Sequence, residues 1–227
     1  MGKNIVDKIN DAVSVKTILV SVSDKTGLDT FIPGLLSINP GITILSTGGT
    51  FARIKELLGK EADTCLRQVS QYTGQPETQG GLVKTLDFKI YLGLLTETYN
   101  DDHQQDLERT GAVAIDMVVA NLYPFKETIA KQGVTVENAR GNIDIGGPTM
   151  IRAAAKNFIR VASVVDPASY PAVIASMKKN RGALTLEDRF DLSRKAFGHT
   201  AAYDRTIADY FAAQTVNDVT ACYATGV

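Results

Sequence analysis

Short apolar, β-branched runs alternate with amphipathic stretches along most of this chain. The alternation predicts an α/β fold, a mainly parallel sheet with helices on both faces. Ile18-Leu19-Val20-Ser21-Val22 reads as a buried strand and Ser23-Asp24-Lys25-Thr26-Gly27 as the turn after it. Leu28 to Leu36 follows as a helix with Phe31, Leu35 and Leu36 on one side. Ile42 to Ser46 is the next strand, and Thr47-Gly48-Gly49-Thr50 turns the chain into a helix over Phe51 to Leu58. Gln71 to Leu86 carries Gly74, Pro76, Gly80 and Gly81 and reads as an extended loop. Ile90 to Leu95 is predicted as a strand, Asp101 to Thr110 as a polar helix, and Ala114 to Asn121 as a strand. A helix is expected from Pro148, a strand over Arg160 to Val165, and a helix from Asp166-Pro167 to about Lys179.

The two ends differ from this pattern. Residues 1–16 read as a polar leader, partly helical, ahead of an α/β domain over 17–183. From 184 to 227 a C-terminal helical extension is expected to pack on the same domain. Thr185-Leu186-Glu187-Asp188 resembles a capping box. Leu186, Phe190, Phe197, Ala201, Ala208 and Phe211 recur at helical spacing and are read as its core-facing stripe.

Composition narrows the function classes. Among 227 residues, 24 basic and 25 acidic side chains leave a net charge of −1, so no overall field draws the chain to nucleic acid or a membrane. No signal peptide and no membrane-length apolar run is evident, which makes the cytoplasm the expected compartment. Two cysteines and two histidines without ligand spacing argue against a metal site.

Candidate chemistry gathers in a few turns. Thr47-Gly48-Gly49-Thr50 leaves a strand and opens a helix, so its amides and the helix dipole suit an anion. Ser23-Asp24-Lys25-Thr26 leaves the neighbouring strand with hydroxyls and an amine. In a parallel sheet both loops lie at the carboxyl edge. Lys84 joins them if its glycine-bearing loop folds over the pocket. Asn121-Leu122-Tyr123-Pro124-Phe125 ends a strand on that edge, with Tyr123 held extended by Pro124. Asn142 through Met150 places Asp144, Gly146, Gly147 and Pro148 at a helix start, with Lys156 further along the helix. An acid and an amine on rigid elements are ingredients for proton transfer on an anionic substrate.

These segments occur in order with Lys195-Ala196-Phe197-Gly198-His199-Thr200-Ala201-Ala202-Tyr203-Asp204. Together they resemble the IMP cyclohydrolase domain family, found in bifunctional purine-biosynthesis proteins beside an AICAR transformylase domain. The resemblance covers about residues 16–214. It implies a methylglyoxal-synthase-like, Rossmann-type fold with C-terminal helices. It also implies closure of the formylated aminoimidazole carboxamide ribotide (FAICAR) to IMP, without a cofactor or metal. By position it makes Lys84, Tyr123, Asp144 and Lys156 the catalytic set. Ser23, Asp24, Lys25, Thr47, Gly48, Gly49, Thr50, Thr85, Ala120, Asn121 and Ile145 become the substrate contacts. A homodimer and a separate transformylase partner belong to the same set of expectations.

The chain departs from the family pattern near Lys84. The family usually has Arg at Leu82, His-Pro at Asp87-Phe88 and His at Tyr91. Asp87 is expected to put a negative charge near an anionic ligand. A phosphate-binding regulatory module and a methylglyoxal synthase are the alternative readings. Retention of Lys84, Tyr123, Asp144 and Lys156 favours cyclisation over the first, since a binding module needs no proton-transfer set. The long stretch between Asn121 and Gly147 and the C-terminal helices speak against the second.

Overall fold

A computed structural model describes residues 5–75, 85–224 and 226. Strand β1 (Ala12–Ser14) is followed by β2 (Thr17–Val22), β3 (Thr43–Ser46), β4 (Leu66–Gln68), β5 (Met117–Asn121), β6 (Ala162–Val164) and β7 (Ala183–Thr185). Five of them form a parallel sheet in the order β4-β3-β2-β5-β6, while β1 pairs antiparallel with β7. Ile18 sits opposite both Ile44 and Met117, which fixes the register at the sheet centre.

Side chains alternate across the sheet, so the strands β2, β3 and β5 each feed two cores. Ile18, Val20, Ile44, Met117, Val119 and Val164 face one of them. It is closed by α1 (Leu28–Ile38), α2 (Gly48–Leu58) and, later in the chain, α10 (Tyr170–Lys179). Leu19, Leu45, Val118 and Ala120 face the other, which is closed by α5 (Phe88–Leu95), α9 (Gly146–Lys156) and α11 (Leu186–Ala212). Shorter helices fill the connections: α3 (Ala62–Cys65), α4 (Val69–Thr73), α6 (Asp101–Thr110), α7 (Phe125–Ile129), α8 (Val136–Gly141) and α12 (Val216–Thr220).

Several expectations are corrected. Ile90 to Leu95 lies in helix α5 rather than in a strand. Asp87 caps that helix by accepting from the Lys89 amide at 2.8 Å, and Ile90 and Leu94 bury one turn apart. Gly93 lets α5 press on the next loop, where a Cβ would come within 2.4 Å of the Val113 carbonyl. The loop expected from Gln71 is still helical, in α4, as far as Thr73. Within the stretch read as a polar, partly helical leader, Ala12–Ser14 is extended and paired.

The face that α11 buries is also different. Arg189, Leu192, Ser193, Ala196 and Thr200 point inward, whereas Phe190, Phe197 and Phe211 are 45%, 38% and 38% exposed. The helix packs on α9, where Ser193 donates to the Ala155 carbonyl at 2.8 Å, and the small Ser193 and Ala196 let the two helices approach closely. Its rings are left on the outer side, with Phe190 against Phe158 at 5.0 Å and Phe197 beneath the Arg152 guanidinium at 5.6 Å. The inward Arg189 donates to the carbonyls of Asn10, Asp11, Phe158, Ile159 and Leu184. This clamps the segment before β1 onto the helix.

Candidate active site

The sheet order reverses its direction of growth between β2 and β5, and ligands bind α/β sheets at such switch points. The loops after β2, β3 and β5 meet there around a cavity of about 310 Å³. The start of α9 and Thr85 complete its wall.

One end of the cavity is built for an anion. Thr47 stands at the N-cap position of α2 without a side-chain cap bond, and Gly48 and Gly49 supply the first helical amides, which have no acceptor within the helix. Gly48 takes a φ of 44°, which opens the turn. The Lys25 chain lies across Gly49, about 4.0 Å from where a Cβ would sit, so its amine joins the helix dipole there. The hydroxyls have structural work. Thr47 Oγ1 shares a hydrogen bond with Ser21 Oγ at 2.8 Å. Thr50 Oγ1 accepts from the Val22 amide at 3.1 Å and donates to its carbonyl at 3.0 Å. These bonds tie the turns after β2 and β3 into one unit. Asn121 adds the turn's far side, its Oδ1 accepting from the amides of Ser23 and Asp24 at 2.7 and 2.8 Å.

The other end holds the acid. Asp144 Oδ1 accepts from the Gly147 amide at 2.8 Å and so caps α9. Burial pushes the Asp144 carboxyl above its ordinary range, against the pull of the Gly147 and Tyr123 amides. Gly147 is required here, because a Cβ would come within 2.7 Å of Asp144 Oδ2 and of Leu122. Gly146 is required by Thr85, whose hydroxyl would lie 2.5 Å from an added Cβ. Thr85, the residue after Lys84 in the sequence, is buried at the cavity wall. Tyr123 is half exposed, and burial, then the nearby Asp144 charge, pushes its phenol up.

Of the expected residues, Ser23, Lys25, Thr47, Gly48, Gly49, Thr50, Thr85, Asn121, Tyr123, Asp144 and Ile145 line this one cavity. Three others do not. Asp24 turns its carboxylate to the amide and hydroxyl of Thr26, which holds its pKa below the ordinary range. Ala120 is buried within β5. Lys156 is exposed at the far end of α9, roughly 15 Å along the axis from Gly146 at 1.5 Å per residue. At that distance it does not reach Asp144 of the same chain. Lys84 and Leu82 lie outside the described residues. Asp87 is spent on capping α5, so it is absent from the cavity wall among the described residues. Ser21, Gly141 and Tyr203 were missed. Ser21 and Tyr203 fall inside quoted motifs, but only their hydrogen bonds reveal a role.

A doubly wound α/β domain with an anion turn and a buried acid at its switch point is the class this geometry defines. The MGS-like domain model matches residues 34–149, and the AICARFT/IMPCHase bienzyme model matches residues 154–225. The chain belongs to the MGS-like domain family. It is 50% identical over 197 residues to the bifunctional purine biosynthesis protein PurH of Neisseria meningitidis serogroup A, covering 87% of this chain. PurH of Neisseria gonorrhoeae is likewise 50% identical over 196 residues, covering 86% of this chain. The match falls on the IMP cyclohydrolase part of PurH, and the chain spans about a third (36%) of these relatives' length. A solved structure titled as that of ForH superposes with a TM-score of 0.72 at 30% identity, covering 87% of this chain and 100% of the other.

Proposed function

We propose that this chain is an IMP cyclohydrolase, which closes FAICAR to IMP with loss of water. One observation carries the reading: the Asp144 carboxyl, with its pKa raised, and Tyr123 share a single cavity with the Gly48–Gly49 anion turn. The similarity to the cyclohydrolase part of PurH supports it.

In this reading the ribotide phosphate sits on the amides of Gly48 and Gly49 and on Lys25. The carboxamide nitrogen then attacks the formyl carbon of the same molecule. A carbon–nitrogen bond forms as the formyl C=O π bond breaks, one carboxamide N–H proton passes to Asp144, and Asp144 hands it on to the formyl oxygen, which becomes a hydroxyl. Loss of a second nitrogen proton and of that hydroxyl as water gives the ring C=N bond. Burial supports Asp144 as the base, since a raised pKa strengthens proton uptake. Lys84 and donors near Tyr123 are proposed to stabilise the developing oxygen anion. Holding both groups of one substrate in contact lowers the barrier further.

A homodimer and a transformylase partner that delivers the formyl group belong to the proposal, as does a cytoplasmic setting. The exposed rings of α11 support the dimer. Lys156 retains a catalytic role only across such a dimer, because its own cavity is out of reach. The proposal is tested by adding FAICAR and following IMP by absorbance. Turnover is expected, and Asp144→Asn lowers kcat by about 10²–10⁴-fold. Tight binding of IMP without turnover would refute it.

A further inference from the structure

Helix α11 reaches both loops that carry the reacting side chains. The Tyr203 phenol oxygen accepts from the Asp144 amide at 2.8 Å. It also lies 3.4 Å from the Asn142 carbonyl, to which it donates. The Tyr203 ring meets Phe125 edge-on at 6.2 Å, and Tyr210, two turns along, meets the same ring at 5.8 Å. Phe125 is buried and follows Tyr123 by two residues. One helix thus grips the loop of Tyr123 by an aromatic contact and the loop of Asp144 by a hydrogen bond.

The second grip acts at a sensitive point. Asp144 precedes the first turn of α9, where no ladder hydrogen bond holds its backbone. Its side chain has already committed Oδ1 to Gly147. Without the phenol, the Asp144 amide would face a half-buried region with no acceptor, and the peptide could rotate to find water. Such a rotation would swing the carboxyl relative to Tyr123 and to the anion turn.

We propose that Tyr203 is a positioning residue for the reaction, whose phenol fixes the Asp144 main chain so that the carboxyl stays aimed into the cavity. This rests on the cyclohydrolase reading above. Tyr203 touches no cavity-lining surface on the substrate side. It lies in the wall of the neighbouring hollow behind the Asn121–Phe125 loop. Its effect is therefore on geometry, and substrate contacts are untouched.

Tyr203→Phe tests this, since it keeps the ring against Phe125 and removes only the hydroxyl. Four quantities are read on the full chain: kcat and KM for FAICAR, the affinity for IMP, and hydrogen exchange at the Asp144 amide. The expected result is a kcat lower by about ten- to a hundredfold. KM and IMP affinity stay within about twofold. The Asp144 amide exchanges faster while core amides of β2 and β5 keep their protection. Tyr210→Phe, which has the ring contact without a bond to the site loops, retains wild-type kcat. An unchanged kcat in Tyr203→Phe overturns the proposal. So does unchanged protection at Asp144, or a general loss of protection with weakened IMP binding, which would make Tyr203 an ordinary scaffold residue. A wild-type chain that never turns over FAICAR would sink the cyclohydrolase reading instead, and the exchange data alone would then decide the anchor.

Discussion

At the residue scale, the site's most informative side chain is Asp144, and its environment explains its value. Burial raises its pKa, so the fold disfavours the ionised carboxylate relative to the unfolded chain. A raised folded-state pKa stabilises the fold below the unfolded pKa, and that contribution is lost as pH rises through the folded pKa. Asp144→Asn is therefore expected to be more stable than wild type near pH 7, an advantage that fades below the ordinary carboxylate range. In the active protein, the acid limb of kcat is expected above that range, because only ionised Asp144 accepts the proton. Thermal melts and a pH–rate profile check the two halves, and an acid limb at an ordinary carboxylate pKa would contradict them.

Local chemistry was legible at this scale. Glycine turns before helices and an acid before Pro148 gave most of the cavity wall. Helix arithmetic was the missing step for Lys156, since a residue about three turns from the entrance cannot return to it. The hydroxyls of Thr47 and Thr50 were read as ligand groups, but they hold the two turns together. Hydrogen-bond partners distant in sequence decide that, and periodicity does not report them.

At the scale of elements, the parallel strands were legible because buried β-branched runs have few other homes. Helix α5 was not, because six apolar-rich residues fit strand and helix equally. Its burial spacing, with Ile90 and Leu94 inside, settles the matter. The α11 stripe misled for a related reason. Large rings dominated the reading, yet small side chains allow the close approach of α9. The price of that approach is a buried cation, Arg189, whose donors go to five carbonyls from three parts of the chain. Arg189→Met leaves those acceptors without donors and is expected to lose roughly 3 kcal/mol of stability. Arg194→Met, at an exposed position beside Asp191 and over the exposed Phe190 ring, is expected to stay within about 1 kcal/mol. Denaturant unfolding measures both, and equal losses would contradict the clamp.

At the scale of the whole molecule, Lys156 raises a question of assembly. If its amine takes part in the reaction, it comes from a second copy. Co-expressing Lys156→Ala and Asp144→Asn in equal amounts then restores about a quarter of wild-type sites, in the heterodimers. No restoration would place Lys156 outside the reaction. Sequence reading did not reach this, since the distance between two copies is written in no single chain.

The central claim is that one cavity at the switch point holds phosphate at its Gly48–Gly49 end and the reacting groups beside Asp144. A crystal structure of the chain with bound IMP tests it most directly. The phosphate is expected on the amides of Gly48 and Gly49 and on Lys25, with the purine ring beside Asp144 and Tyr123. A phosphate seated elsewhere, or a purine turned away from Asp144 into the hollow behind Tyr123, would contradict it.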